Sequence, residues 1–307
     1  MILCCGEALI DMLPRTSEAG EDAFAPYSGG AVFNTAIALG RLGAPSGFYC
    51  ELAGDMFGEM LQDALADSRV STDYAPIVDR PCTLAFVKLV EGQATYAFYD
   101  EGTALRMMTP ETLPPLGDDV SALFFGGISL VGEPCGTAFE ALATRAAGDR
   151  AIMIDPNIRT SFIADEAAYR GRVERMIALS DIVKVSDEDL RWIMGDGEPG
   201  ALAREILRMG PKVVCITEGG KGARGITATG EVQVAAPRVE VADTVGAGDT
   251  FNAGVLAALH EAGALTKDAL AALDNRVLRD ALTLGVRSAA VTVSRAGANP
   301  PWRAELS

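Results

Sequence analysis

Short apolar runs alternate with helical stretches along most of the chain, and this alternation constrains the fold more than any other feature. Most of the runs are continuously apolar, as is typical of strands covered by helices on both faces. The predicted strands span 2–5, 47–53, 122–125, 151–154, 182–185 and 213–217. The predicted helices span 34–42, 59–66, 137–147, 166–179, 202–209, 249–260 and 276–287. The repeated strand–helix units predict an α/β protein with a mainly parallel central sheet.

One segment interrupts this alternation. The sequence PCTLAFVKLVEGQATYAFYDEG predicts two strands around a turn at Glu91, Gly92 and Gln93. Together with the stretch after Asp11, these strands would form a small antiparallel sheet, comprising about 11–25 and 72–106. Such an insertion is typical of a lid over an active site. An edge hairpin that covers the core or contacts a second copy of the chain is the alternative, and the two roles are compatible.

A run of small residues opens the predicted helix at 249–260, within the sequence VADTVGAGDTFNAG. The first N–H groups of a helix lack intrahelical acceptors, and Gly246 and Gly248 would let an anion approach the backbone closely. Gly246, Ala247 and Gly248 therefore predict an anion hole for a transferred phosphoryl group. Asp249 would then act as the base that accepts the proton of the attacking hydroxyl. The simpler alternative is that Asp249 only caps the helix.

Composition excludes several classes of function. A formal charge of −16 argues against nucleic acid or an anionic membrane as the main partner. The N-terminal sequence lacks the basic region of a signal peptide, and no apolar run reaches the ~20 residues of a membrane span. The six cysteines show no C-x-x-C spacing, so we expect core thiols of a cytoplasmic protein rather than a zinc site or disulfides. The signatures of P-loop NTPases, protein kinases and Rossmann dehydrogenases are absent from the sequence.

Two separated motifs resemble those of the ribokinase-like (PfkB) carbohydrate kinases. DTVGAGDTFNAG is similar to the C-terminal signature of this family, and SGGAVFNTAIALGRLG is similar to its N-terminal signature. Intervening segments match in order, including GEALIDM, YAFYDEGTA, DPNIR and VKVSDEDL. Within the family, these segments resemble those of the bacterial fructokinases. The resemblance covers essentially the whole chain. It implies one domain over 1–307, with a three-layer αβα sandwich and a small β lid.

The resemblance also implies where a sugar would bind. The family uses an acid at the position of Asp11 to hold sugar hydroxyls. The remaining candidates for contact with the sugar are Gly29, Gly30, Asn34, Tyr96, Phe98, Arg159 and Asp249. Tyr96 and Phe98 would press on the sugar ring, although bare aromatics at such positions are often core residues. Arg159 would reach the sugar or the transferred phosphate and neutralise developing charge.

A second group of residues would bind ATP and metal ions. The family usually has Asn-x-x-Glu where this chain has Ser186 and Asp189. Asp in place of Glu shortens the reach, so Asp189 is expected to contact Mg²⁺ through water. The nucleotide candidates are Lys184, Ser186, Asp189, Thr217, Gly219, Gly222, Gly246 and Gly248. The family often binds K⁺ through backbone carbonyls, which here would come from Asp243, Val245 and the segment 290–297.

The sequence therefore predicts an ATP-dependent sugar kinase that converts D-fructose to D-fructose 6-phosphate. A 2-keto-3-deoxygluconate kinase, a ribokinase and a nucleoside kinase are alternatives within the class. A sugar acid would favour additional basic residues near the lid, and Arg106 is the nearby candidate. The alternative outside enzymes is a sugar-sensing regulator on the same fold. A homodimer formed through the lid is the expected protein partner.

Overall fold

The computed structural model describes residues 1–90 and 93–306. The strands are β1 (Ile2–Cys5), β2 (Leu9–Thr16), β3 (Asp22–Gly29), β4 (Ser46–Tyr49), β5 (Leu52–Ala53), β6 (Ile77–Val78), β7 (Leu84–Val90), β8 (Gln93–Tyr99), β9 (Ala122–Gly126), β10 (Ala151–Asp155), β11 (Ile182–Ser186), β12 (Val213–Thr217), β13 (Ala223–Thr227) and β14 (Gly230–Val234). The helices are α1 (Ala31–Arg41), α2 (Met56–Asp67), α3 (Cys135–Ala146), α4 (Glu166–Leu179), α5 (Asp187–Met194), α6 (Pro199–Arg208), α7 (Ala247–Glu261), α8 (Lys267–Ala271) and α9 (Asn275–Val293).

An eight-stranded sheet forms the centre of the fold, with the order β14-β13-β12-β11-β10-β9-β1-β4. Six of these strands run parallel, and β13 and β14 add an antiparallel edge. Helices α3 to α6 pack on one face, whereas α1, α7 and α9 pack together on the other. The predicted three-layer α/β architecture is confirmed. The carboxyl ends of the parallel strands meet at one edge of the sheet, which is where open α/β folds place their ligands.

Helix α7 lies at the centre of its layer because small residues let its neighbour approach. A Cβ built on Gly254 would lie 2.6 Å from the Cα of Gly285 on α9, so the two backbones touch at this crossing. Ten of the residues of α7 are buried, from Asp249 to Leu259. Most of α7, including Asp249 in its first turn, is therefore buried against α1 and α9.

A second sheet, which contains the predicted lid segments, has four strands in the order β3-β2-β7-β8. It consists of the predicted hairpin β7–β8 and a second hairpin, β2–β3, formed by the stretch after Asp11; the expected antiparallel sheet is interrupted because β2 and β7 pair in parallel. The predicted turn between β7 and β8 includes Glu91 and Gly92, which lie outside the described residues. Asp55 joins the lid to the core, because its carboxylate caps α2 and also accepts the N–H of Cys82 at 2.8 Å.

Two differences from the predicted elements have local causes. The predicted strand 47–53 is divided into β4 and β5, and β5 leaves the main sheet to pair with β6. The short helix α5 was not predicted as a separate element; a reciprocal capping box between Ser186 and Asp189 starts it. Every helix within the described ranges is too short or too polar to cross a membrane.

Candidate active site

Asp249 lies in the first turn of α7, directly after the predicted anion hole. Gly246 caps this helix with φ of 76°, a left-handed conformation that favours glycine. The carboxylate of Asp249 is buried, and its Oδ2 accepts a hydrogen bond of 2.9 Å from Nδ2 of Asn34 on α1. The two sequence signatures therefore meet at one carboxylate.

The protonation of Asp249 is shifted toward neutrality. Burial is the main cause that raises its pKa to about 7, and the charge of Asp155 adds to this effect. The hydrogen bond from Asn34 and the charge of Lys184 act in the opposite direction. A carboxylate with a pKa near neutrality is well matched to accept a hydroxyl proton as a general base.

A buried ion pair lies beneath the glycine turn. Nζ of Lys184 on β11 contacts Oδ2 of Asp155 on β10 at 2.8 Å, and Nδ2 of Asn252 donates to the same oxygen at 2.7 Å. A Cβ built on Gly248 would lie 3.0 Å from this ammonium. Burial disfavours the charge of Lys184, but the ion pair with Asp155 and the charges of Asp189 and Asp249 together outweigh burial, so the pKa of the lysine is raised. Gly248 thus leaves room for a fixed positive charge next to the predicted phosphate site.

The predicted sugar residues lie on the other side of Asp249. A Cβ built on Gly29 would lie 2.4 Å from Oδ2 of Asp11, so the absence of a side chain at Gly29 leaves room for this carboxylate beside β3. Burial raises the pKa of Asp11 to about 6. Within the described part of the chain, the carboxylate of Asp11 has no hydrogen-bond partner, which leaves both oxygens available to sugar hydroxyls.

Glu7 orders the start of α1, a role that sequence reasoning missed. Its Oε1 accepts the N–H of Ala31 at 2.9 Å, and Oε2 accepts the N–H of Ser129 at 3.3 Å. Gly30 precedes this helix with φ of 112°, and a Cβ there would lie 2.7 Å from the carbonyl of Glu7. Glu7 therefore fixes the orientation of the helix that carries Asn34. The glycine–acid pair after the first strand was the available signal.

Three aromatic rings cluster beside the sugar side of the site. The ring of Phe98 lies 4.7 Å from that of Phe162, and the ring of Tyr96 lies within 6.3 Å of both. Tyr96 is 47% exposed, so it is not the core residue of the alternative interpretation. Burial and the nearby charge of Asp11 raise the pKa of Tyr96, whereas Arg159 lowers it. The structure thus brings together the predicted lid aromatics, Asp11 and Arg159, and adds Phe162.

Arg159 is exposed in the loop after β10. Its Nη1 donates a hydrogen bond of 3.0 Å to the backbone carbonyl of the preceding residue, Ile158. The salt bridges among the described residues do not include Arg159. Its guanidinium is therefore available to an anionic group at the site.

A pocket of about 630 Å³ opens at the start of α7, among the residues predicted to bind the nucleotide. Its inner wall is formed by Ala247 and Gly248, the two residues before Asp249. Thr217, Gly219 and Gly222 line another wall, as the resemblance implied. The outer part is lined by aliphatic side chains from two segments: Ala236, Val239, Val241, Val286, Ala289, Ala290 and Val293. The shape suits a flat base at the aliphatic end and phosphates at the helix N-terminus.

The side chain of Asp189 accepts hydrogen bonds from the backbone of two segments. Its Oδ1 accepts the N–H of Ile158 at 3.1 Å, and its Oδ2 accepts the N–H of Ser186 at 3.4 Å. Both carboxylate oxygens therefore accept hydrogen bonds from backbone groups. The described residues contain no group of three acidic, His or Cys side chains able to hold a metal ion.

The two segments expected to surround K⁺ lie together. Asp243 joins them: its Oδ1 accepts the N–H of Val245 at 3.1 Å, and its Oδ2 accepts the N–H of Gly297 at 2.9 Å. The N–H of Asp243 also donates to the carbonyl of Val293 at 3.2 Å. This arrangement places the loop before α7 against the end of α9.

Known proteins resemble this chain in both sequence and fold. The chain matches the family described as pfkB family carbohydrate kinase over residues 1–305. A fructokinase of Rhizobium leguminosarum bv. trifolii is 58% identical over 282 residues, covering 91% of this chain and 86% of the relative. The structure of a Xylella fastidiosa fructokinase with bound ATP has a TM-score of 0.89 and 27% identity, covering 99% of this chain and 97% of that one. An aminoimidazole riboside kinase from Salmonella enterica, complexed with aminoimidazole riboside and an ATP analog, has a TM-score of 0.84 and 27% identity, with the same coverage of both chains.

Proposed function

The chain belongs to the pfkB family of carbohydrate kinases, and we propose that it is a fructokinase that transfers the γ-phosphate of ATP to the 6-hydroxyl of D-fructose. The placement of Asp249 carries this proposal. Its carboxylate is held by Asn34 from the sugar side, and it follows directly after Gly248 in the wall of the nucleotide pocket. The likeness to the Rhizobium fructokinase, at 58% identity, supports fructose as the acceptor.

The reaction would take place between two halves of one site. Asp11, Gly29, Gly30 and Asn34 would hold the sugar hydroxyls, and the aromatic cluster would contact the apolar face of the ring. The attacking hydroxyl would lie against Asp249, which accepts its proton as the oxygen bonds to phosphorus. Because the carboxylate is buried, the proton transfer would occur away from competing water.

The phosphoryl group would be stabilised by the N-terminus of α7. The N–H groups of the turn formed by Gly246, Ala247 and Gly248 would face the charge that develops on the phosphoryl oxygens. Lys184 and Arg159 would add positive charge from two sides. Lys184 already lies next to Gly248, whereas the N–H of Ala247 donates to the carbonyl of Thr244 at 3.3 Å and would have to turn toward the phosphoryl group.

The metal ions would assist from the nucleotide side. Mg²⁺ bound to the triphosphate neutralises part of its charge. Since the oxygens of Asp189 are directed at backbone N–H groups, this residue would contact the ion through a water molecule. K⁺ would bind to backbone carbonyls of Asp243 and Val245, where it would stabilise the loop that leads into the anion hole.

The lid would also form the contact between two copies of the chain. Phe24, Phe86 and Tyr99 make an aromatic stripe across its outer face, with ring centroids 5.0 Å and 5.4 Å apart. Phe24 is 48% exposed and Tyr99 is 63% exposed. An apolar stripe of this kind suits a two-fold interface in which identical patches meet. A single monomer mass in light scattering at micromolar concentration would contradict the dimer.

The substrate is tested by measuring ADP release with a panel of acceptors. We expect the highest kcat/KM with fructose, and lower values with ribose, 2-keto-3-deoxygluconate and nucleosides. A nucleoside preferred over fructose would place the chain with the aminoimidazole riboside kinases instead. ATP hydrolysis without any phosphorylated sugar would contradict the kinase assignment.

A further inference from the structure

A cavity of about 530 Å³ lies beside the aromatic cluster, between the end of β8 and helices α3 and α4. We call it the distal cavity. Phe98 and Phe162 line it and also belong to the aromatic cluster of the sugar side. Its polar lining includes Asp100, Arg106, Glu133 and Arg172. The cavity therefore adjoins the proposed sugar site and carries charges that can influence which sugars enter.

Arg106 is the cation of the distal cavity closest to the lid, and its charge is already compensated. Its Nη1 contacts Oδ2 of Asp100 at 2.5 Å, and its Nε donates to the carbonyl of Glu133 at 2.6 Å. A Cβ built on Gly132 would lie 2.8 Å from Nη1, so the guanidinium packs against the Gly132 backbone. Arg106 is thus held in one orientation by groups of the protein itself.

The second cation of the cavity is compensated as well. Arg172 is buried, and its guanidinium pairs with the carboxylates of Glu133 and Glu140 and donates to the carbonyl of Leu130. The cavity therefore presents two arginines with no excess positive charge. A neutral polyol meets no penalty here, whereas the carboxylate of a sugar acid would face Asp100 and Glu133, and both arginines that line the cavity are already paired.

We propose that Asp100 determines the specificity for neutral sugars by neutralising Arg106 in the distal cavity. The negative charge of Asp100 would repel an acidic substrate. Its carboxylate also accepts the hydrogen bond from Arg106 that a substrate carboxylate would otherwise accept. Both residues are about one-third exposed, at 31% for Asp100 and 36% for Arg106, so the pair is accessible from the cavity. The inference rests on the proposed function, and it explains why the enzyme would discriminate against a sugar acid such as 2-keto-3-deoxygluconate.

The test compares fructose with 2-keto-3-deoxygluconate in the full-length enzyme. Asp100→Asn keeps the size of the side chain but removes its charge, and leaves Arg106 free to pair with a substrate carboxylate. We expect the ratio of kcat/KM for the acid to that for fructose to rise by about tenfold or more. The gain should shrink as ionic strength rises, because it depends on attraction between charges. The double variant Asp100→Asn/Arg106→Gln should lose the gain.

A matched control comes from another ion pair. Glu231 has the same side-chain exposure of 31% and pairs with Arg204, but it lies on the edge strand β14. Glu231→Gln should leave the ratio unchanged. If Asp100→Asn fails to fold, Asp100→Ser removes the same charge and should raise the same ratio.

Two results would overturn the inference: an unchanged ratio in folded Asp100→Asn, or a gain that persists in the double variant. Both are distinct from failure of the proposed function, which would be absence of fructose phosphorylation by the unmodified chain.

Discussion

Nδ2 of Asn34 lies 2.9 Å from Oδ2 of Asp249, and this hydrogen bond joins two residues that are 215 positions apart in the chain. Asn34 is on α1, which begins where the lid strand β3 ends, and Asp249 is in the first turn of α7. The contact therefore links the part of the site expected to hold the sugar to the part expected to hold phosphate. Several measurable properties depend on it.

The first prediction concerns the role of Asp249 as a base. Asp249→Asn preserves the shape of the side chain but removes its ability to accept the hydroxyl proton. We expect kcat to fall by ~100-fold or more, as is typical when a general base is lost, with little change in ATP affinity. Steady-state kinetics with fructose, together with nucleotide titration, would measure both effects. Near-normal turnover would leave Asp249 as a helix-capping residue only.

The second prediction concerns pH. Because the base must be ionised and the pKa of Asp249 is raised to about 7, kcat/KM should fall as pH decreases below 7. The hydrogen bond from Asn34 lowers this pKa, so Asn34→Ala should move the acidic limb of the profile to higher pH. A higher KM for fructose with an unmoved limb would show that Asn34 binds sugar without tuning Asp249.

The third prediction concerns stability. The pKa of Asp249 is 3.8 when unfolded and about 7 when folded, so the folded chain binds more protons between these values. The contribution of Asp249 to stability is therefore fully present below pH 4 and is lost as pH rises through 7. Asp249→Asn should have a higher Tm than the unmodified chain at pH 8, with the difference vanishing near pH 4. Asp149→Asn, an exposed control, should show no such trend; an equal difference at both pH values for Asp249→Asn would contradict the raised pKa.

The fourth prediction concerns the lid. Closure over a bound sugar should slow hydrogen exchange in the segment 81–100 when fructose is added. The β13–β14 hairpin lies at the far edge of the main sheet and serves as the internal control, since its exchange should not change. Unaltered protection of the segment at saturating fructose would mean that these strands do not act as a lid.

The fifth prediction concerns K⁺. Replacing sodium with potassium at constant ionic strength should raise kcat several-fold, because a cation held by carbonyls would stabilise the loop before α7. Asp243 joins the two segments of this site through hydrogen bonds to Val245 and Gly297, so Asp243→Asn should reduce the effect. Equal rates in potassium, sodium and a large organic cation would exclude a specific site.

The sequence allowed correct prediction of those features that local pattern specifies. Continuous apolar runs identified the six parallel strands, although the run 47–53 was divided because β5 turns away to pair with β6. The small residues around Asp249 identified the start of α7. The β7–β8 hairpin was predicted from a change in periodicity, but the parallel pairing of β2 with β7 has no local signal because it depends on how two distant hairpins dock.

The missed site residues share a different cause. Glu7 accepts a hydrogen bond from the first N–H of α1, which is 24 positions away. Asp155 accepts one from the side-chain amide of Asn252, which is 97 positions away. A buried acid has no distinctive neighbours in sequence, since its partners come from other elements. Asn252 was within a recognised signature, yet its role became visible only when β10 and α7 were placed side by side.

The contact between Gly254 and Gly285 has a consequence for how the enzyme can vary. Gly254 is five residues after Asp249, or about 7.5 Å along the axis of α7. A methyl group added at Gly254 would lie 2.6 Å from the Cα of Gly285, so α7 and α9 would have to move apart close to the turn that carries Asp249. We therefore expect substitution of Gly254 or Gly285 to lower turnover as well as stability, although neither residue lines either of the two cavities described above.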